Sequence, residues 1–164
     1  MPFIFEKLSI DGLVMVKPAI FRDERGFFTE SYKSSDFKKN GIDCGFIQDN
    51  HSMSFKNVIR GLHFQRPPYG QSKLVRCLRG KIMDVAVDLR KSSGTYLKWE
   101  SVILSEENCH MLFIPEGFAH GFLVLSDVAD VYYKCDREYN PSFDAGVRYD
   151  DPDIKIQWGV SSPI

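Results

Sequence analysis

Lys73-Leu74-Val75-Arg76-Cys77-Leu78-Arg79-Gly80-Lys81-Ile82-Met83-Asp84-Val85-Ala86-Val87-Asp88-Leu89 is the stretch whose reading decides the fold. Two runs rich in Val, Ile and Leu flank Arg79-Gly80, a pair suited to a tight turn, and each run alternates with period 2. The pattern predicts a hairpin with Cys77 opposite Ile82 and Val75 opposite Asp84. Lys73, Val75, Asp84 and Asp88 then share one sheet face, while Met83, Val85, Val87 and Leu89 share the other. The polar face has two readings. It meets solvent, as one face of an antiparallel sheet commonly does, or it lines a barrel whose polar interior holds a ligand.

Outward from this stretch the chain keeps the same texture. Leu13 to Pro18, Gly26 to Tyr32, Asn57 to Gln65, Tyr96 to Leu104, Met111 to Pro115, Gly121 to Leu125 and Asp130 to Cys135 all read as strands rich in Phe, Val, Ile and Tyr. Only Ser34 to Asn40, opening Ser-Ser-Asp and closing at Asn40-Gly41, reads as a helix. With 164 residues, no internal repeat and no linker-like segment, residues 1–164 read as a single all-β domain, a sandwich or jelly roll with short helices.

Composition removes several classes of function. The 21 Lys+Arg against 22 Asp+Glu leave a net charge of -1, too little field to hold a nucleic-acid backbone by counterion release. No apolar run approaches the roughly 18–20 residues of a membrane span, and the N-terminus is not a basic region followed by an apolar one. The expectation is a cytoplasmic protein with no nucleic-acid or membrane partner. Cys44, Cys77, Cys109 and Cys135 are scattered without a C-x-x-C pair, which reads as free, mostly buried thiols.

The chemistry-bearing segments are few. Pro115-Glu116-Gly117-Phe118-Ala119-His120 fits the P-x-G-x-x-H pattern of the second cupin motif, which aims a histidine into a barrel. A metal-binding cupin adds an H-x-H pair, but here that place reads Leu62-His63-Phe64-Gln65, so no metal is expected. Arg25, Gln48, Asn50, Arg60 and Lys73 are suited to phosphates and a base edge, or else are ordinary surface side chains. His63 is either a satisfied core histidine or a general base, since imidazole is mostly neutral at pH 7. Strict alternation puts Arg60 and His63 on opposite faces unless Gly61 marks a bulge. Tyr133 shares a face with Val131 and Cys135, as a packed aromatic or as a phenol able to donate a proton.

Five motifs now occur in order: F-R-D-E-R-G-F-F (Phe21 to Phe28), Q-D-N-H-S (Gln48 to Ser52), R-G-L-H-F-Q (Arg60 to Gln65), K-L-V-R-C (Lys73 to Cys77) and I-P-E-G-F-A-H-G-F (Ile114 to Phe122). With them the chain closely resembles the dTDP-4-dehydrorhamnose 3,5-epimerase family, from the N-terminus to about Trp158. The resemblance implies a metal-free cupin jelly roll (a double-stranded β-helix barrel), a homodimer with no cofactor. Its reaction inverts C3 and C5 of dTDP-4-keto-6-deoxyglucose to give dTDP-4-keto-L-rhamnose. It implies His63 as base, Lys73 as stabiliser of the enolate oxygen and Tyr133 as acid. It also implies Arg25 and Glu30 reaching a partner subunit's nucleotide, Gln48, Asn50, Arg60 and His120 binding substrate, and Tyr139 stacking near the base. Asp144 stands where the family usually has Glu.

The family's base is oriented by an aspartate in a segment of type L-S-x-K-D, and this chain reaches Ile164 just before such a segment. Either the sequence is shorter than the natural protein or another carboxylate serves, with Asp84 the candidate. The competing functional readings are a C3-only epimerase of a related 4-keto nucleotide sugar, a sugar-nucleotide-binding cupin without activity, and, from the cupin motif alone, a metal-dependent oxygenase.

Overall fold

The computed structural model describes residues 3–164. The chain forms β1 (Phe3–Lys7), β2 (Val14–Pro18), a small hairpin of β3 (Phe21–Asp23) and β4 (Gly26–Phe28), and one short helix, α1 (Ser34–Lys39). Then follow β5 (Gln48–Phe55), β6 (Ile59–Gln65), β7 (Lys73–Arg79), β8 (Lys81–Asp88) and β9 (Trp99–Ser105). The described chain closes with β10 (Met111–Ile114), β11 (Phe118–Val124), β12 (Val128–Cys135) and β13 (Asp144–Gly146). These strands build a six-stranded sheet, β1-β2-β10-β7-β12-β5, and a five-stranded sheet, β13-β6-β11-β8-β9, with every pairing antiparallel. This is the all-β, two-sheet arrangement expected of a jelly roll.

One expectation is corrected at the stretch that decided the fold. β7 and β8 do not pair with each other. β7 lies between β10 and β12 in one sheet, and β8 lies between β11 and β9 in the other. Gly80, at φ +75°, carries the chain from sheet to sheet. The Lys81 N–H, which a hairpin would pair with Leu78 O, goes instead to Ser126 Oγ at 2.8 Å, and the Gly80 N–H goes to Glu106 Oε1 at 2.9 Å. Each strand has both of its edges paired in its own sheet, so no edge is left with which β7 and β8 could pair with each other.

The grouping of faces survives the correction, because it depends only on the period of 2. Val75, Cys77, Ile82 and Ala86 join Leu112, Ile114, Phe122 and Val131 in the apolar core between the sheets. Val85, Val87, Met83 and Leu89 lie on the outer side of the five-stranded sheet, beneath Ile154 and Trp158. Phe37 of α1 packs on the outer side of the six-stranded sheet with Phe3, Val16 and Leu74. The face carrying Asp84 and Asp88 therefore turns inward, not to solvent, and both residues are fully buried. Asp88 is satisfied at the end of β8 by Arg90, Ser93 and Thr95, with Arg90 stacked 4.6 Å over Phe118. Burial pushes its carboxyl upward, but these hydrogen bonds outweigh that and hold it well below the usual carboxylate range.

The strand that carries R-G-L-H-F-Q contains the bulge that alternation required. His120 pairs with His63 and Phe122 with Arg60, so Gly121 alone faces Gly61 and Leu62. The extra residue brings Arg60 and His63 to the same side. Both glycines are needed here. A Cβ on Gly61, which sits at φ +116°, would lie 2.6 Å from Gly121 Cα and 2.6 Å from His120 O, and one on Gly121 would lie 2.6 Å from Arg60 O. Gly61→Ala is expected to cost at least about 2 kcal/mol, from left-handed strain and backbone overlap together. Urea unfolding measures this, and a midpoint within error of the parent protein would contradict the close-approach account.

Candidate active site

Between the open ends of the two sheets lies a cavity of about 410 Å³. The five-stranded sheet supplies Arg60 and His63 from β6 and His120 from β11. The six-stranded sheet supplies Gln48 and Asn50 from β5, Lys73 from β7 and Tyr133 from β12. Tyr139 and Asp144 stand at the rim, with the Tyr139 hydroxyl 3.3 Å from Asp144 Oδ2. Nine of the eleven residues singled out in the sequence thus line one space, and its two walls come from different sheets. Arg25 and Glu30 do not line it. Arg25 sits at the tip of the β3–β4 hairpin, bonded to Asp23 and 83% exposed at its side chain. Glu30 Oε2 is buried without a partner among the described residues.

His63 stands exposed to the cavity, so the satisfied core histidine is not what forms. It pairs across the ladder with His120 on one side and Gly146 on the other. Burial of the imidazole and the charge of Lys73 lower its pKa from the usual 6.5, against an upward pull from Asp144, so the neutral, proton-accepting form prevails at pH 7. Lys73 faces it from the other wall, its Nζ 5.8 Å from the centre of the Tyr133 ring. Among the described residues Lys73 has no ion-pair partner. Burial pulls its ammonium downward from 10.5, and burial likewise raises the Tyr133 phenol above 10. Tyr133 lies between Asn50 and Val75 in the ladder, where its body packs against the core and its ring lines the cavity.

Asp84 does not orient His63. Its Oδ1 lies 2.7 Å from His120 Nε2, a buried pair on neighbouring strands β8 and β11. Alternation put Asp84 on the cavity side as expected, but the register sets it diagonally beside His120, and His63 is one strand farther away. Asp84 Oδ2 is buried without a hydrogen-bond partner among the described residues. His120 therefore presents an imidazole whose ring is fixed by a carboxylate behind it.

Other side chains hold the wall in shape. Arg60 Nε donates to Ser54 Oγ at 2.7 Å. Gln48 Nε2 donates to Asn50 Oδ1 at 3.0 Å, and Asn50 Nδ2 lies 3.7 Å from Cys135 Sγ. Ser52, Gln65 and Gln71 also line the cavity without having been singled out. The signal for two of them was present. Ser52 shares the period of Gln48 and Asn50, and Gln65 that of His63. Among the described residues no three His, Cys, Asp or Glu side chains gather as a metal-ligand set, and no helix is long and apolar enough to cross a membrane.

A family model described as dTDP-4-dehydrorhamnose 3,5-epimerase matches residues 7–164. The chain is 54% identical over 156 residues to the dTDP-4-dehydrorhamnose 3,5-epimerase of Methanothermobacter thermautotrophicus, covering 95% of this chain and 84% of that one. In fold it is similar to the Bacillus anthracis dTDP-4-dehydrorhamnose 3,5-epimerase crystallised with TDP and PPi bound. That match has a TM-score of 0.96 at 42% identity and covers 99% and 93% of the two chains. It is also similar to the Legionella pneumophila dTDP-6-deoxy-D-glucose-3,5-epimerase in complex with dTDP-4-keto-L-rhamnose, with a TM-score of 0.95 at 44% identity covering 99% and 86%. With its motifs in order, its two-walled cavity and these matches over nearly its whole length, the chain belongs to the dTDP-4-dehydrorhamnose 3,5-epimerase family.

Proposed function

We propose that His63, Lys73 and Tyr133 carry out the family's reaction in this chain, the conversion of dTDP-4-keto-6-deoxyglucose to dTDP-4-keto-L-rhamnose. One observation carries the assignment: the imidazole stands on one wall of the cavity, the phenol and the ammonium on the other. Inverting a carbon needs a proton removed from one face and another delivered to the opposite face, which two facing walls provide. The hydrogens on the carbons beside the 4-keto group are acidic because the carbonyl takes up the electron pair left behind. Neutral His63 accepts the proton, the C–H pair becomes the enolate π bond, and the carbonyl π pair moves onto the oxygen. The Lys73 ammonium stabilises that oxygen anion, an effect strengthened where water is excluded. Tyr133, protonated because burial raises its pKa, donates its hydroxyl hydrogen to the other face as the carbonyl re-forms. Exchange with solvent resets both groups. No electron leaves the substrate, so the chemistry needs no redox cofactor.

Gln48, Asn50, Arg60, His120 and Tyr139 bind the sugar nucleotide, with Arg60 supplying charge for the diphosphate. Asp144 hydrogen-bonds Tyr139 at the rim. Arg25 and Glu30 act across a homodimer interface, Arg25 from the tip of an exposed arm and Glu30 from beyond its base. What supports this is the β3–β4 hairpin, whose six residues are all exposed, with Phe21, Phe27 and Phe28 at 59%, 52% and 66%. A two-stranded hairpin is marginal alone in water, and three exposed phenylalanines mark it as a surface waiting for a partner. Ile47, Met53 and Phe55, also exposed, give the edge strand β5 and its approach a second apolar strip.

In heavy water, turnover of dTDP-4-keto-6-deoxyglucose should place deuterium at C3 and C5, and His63→Asn should slow that incorporation by at least about a thousandfold. Incorporation at the parental rate would remove His63 as the base. The pH profile of kcat/KM should hold as pH falls past 6.5 and decline only below it, because protonation of His63 is shifted to lower pH. Its alkaline decline should come before the ordinary lysine value of about 10.4, as Lys73 loses its proton early. An acid midpoint above 6.5 would contradict the first assignment. Sedimentation should give a dimer, and Arg25→Ala should weaken dTDP binding by about tenfold, roughly 1.4 kcal/mol, without dissociating it. A fully active monomer would overturn the shared site.

A further inference from the structure

We infer that Gln65 is a positioning residue for nucleotide binding: its buried amide ties together the two loops at the cavity mouth and sets where Tyr139 stands. The inference rests on the reading that Tyr139 contacts the nucleotide. Gln65 ends β6, two residues beyond His63, and is 6% exposed. Its Nε2 donates to Tyr69 O at 2.9 Å and to Glu138 O at 3.4 Å, and its Oε1 accepts from Asn140 N–H at 2.6 Å. Tyr69 belongs to the loop between β6 and β7, whereas Glu138 and Asn140 belong to the segment after β12. One side chain therefore spans both.

The direction of the amide is set by chemistry. Rotated by half a turn, its NH₂ group would face the Asn140 N–H and its oxygen would face two carbonyls. Only one orientation satisfies all three contacts. The contacts to residues 138 and 140 bracket Tyr139 on either side, and Gln48 Oε1 accepts from the Tyr139 N–H itself at 2.7 Å. Three successive residues of this segment are thus held by two glutamines, one from each sheet. Tyr139 remains 52% exposed at the rim, so its direction follows from its backbone and from the 3.3 Å bond of its hydroxyl to Asp144 rather than from packing of the ring.

The same two loops are joined farther out. Gln71 Nε2 donates to Arg137 O at 2.7 Å, and the Ser72 N–H donates to Asp136 Oδ1 at 2.7 Å. Arg137 also donates to Gly70 O and pairs with Glu116, while Tyr69 packs on Phe143 with ring centres 4.4 Å apart. These contacts keep the loops together when the inner tie is cut. Replacing Gln65 should therefore loosen Tyr139 without unfolding the mouth.

The test is a double-mutant cycle on Gln65→Met and Tyr139→Ala, read by dTDP titration and by steady-state kinetics. Gln65→Met should raise the Kd for dTDP and the KM for the sugar nucleotide by about tenfold, with a much smaller fall in kcat, since three hydrogen bonds that place a binding residue are lost. Gln65→Glu keeps the acceptor for Asn140 but turns an oxygen toward two carbonyls, so it should weaken binding at least as much, and it serves in place of Gln65→Met should that variant not fold. In Tyr139→Ala, a further Gln65→Met change should cost less than about threefold, because the route through Tyr139 is already gone. Fully additive losses would show that Gln65 acts elsewhere. A Gln65→Met protein with parental Kd and KM overturns the inference even if its melting temperature falls. If Tyr139→Ala alone leaves dTDP affinity unchanged, the reading of Tyr139 fails and the inference falls with it, an outcome distinct from the failure of Gln65 alone.

Discussion

Two glycine backbones in contact govern this site. Where Gly61 of β6 meets Gly121 of β11 there is no room for a Cβ on either strand, and the register slips by one residue. A strand without that slip would send Arg60 and His63 to opposite sides of the sheet. With it, a cation suited to phosphate and an imidazole suited to proton transfer enter the same cavity, while Leu62 remains buried on the outer side of the sheet. The wall that presents Arg60 and His63 together depends on the slip, and the slip depends on the absence of two side chains.

Around that wall the charges are arranged with economy. The cavity gathers Arg60, Lys73 and two imidazoles with one carboxylate, Asp144, and Asp84, which does not line it, is engaged by His120. Lys73 is left without an ion-pair partner among the described residues, and a buried ammonium in that situation has its pKa pulled down by desolvation. Its charge in turn helps keep His63 neutral. An anion formed on a substrate oxygen would be the missing counter-charge, so the site opposes a buried cation in the resting state and favours it as negative charge develops. Asp88, equally buried, shows the opposite solution. With Arg90, Ser93 and Thr95 around it, its carboxylate is fully satisfied and does not line the cavity.

Much of this was legible in the sequence where burial writes its period into the residues. The alternation in Lys73 to Leu89 sorted inner from outer side chains correctly, and the helix at Ser34 and most of the strands fell where their apolar residues placed them. The strand Gln48–Phe55 was not legible, and its surroundings explain why. Its inward residues Gln48, Asn50 and Ser52 line a polar cavity instead of a core, so the alternation that announces a strand is missing where the strand meets the cavity. The short strands β1, β3 and β13 escaped for a simpler reason, since three to five residues at an edge carry too little pattern. The hairpin expected at Arg79-Gly80 failed because a turn signal reports that the chain reverses, not which neighbour each arm finds afterwards.

The sequence by itself determined the family and the all-β class, and it named nine side chains that line one cavity. Those properties reside in runs of a few neighbouring residues, and a motif such as R-G-L-H-F-Q can be read without knowing which strand lies beside it. Tertiary structure alone decided that β7 and β8 part to opposite sheets, that Asp84 meets His120 rather than His63, and that Gln65 reaches residues 69, 138 and 140. These are matters of which strand lies beside which and in what register. They are settled by the competition of all strands for two ladders and one core, a contest among residues far apart along the chain that no local pattern records.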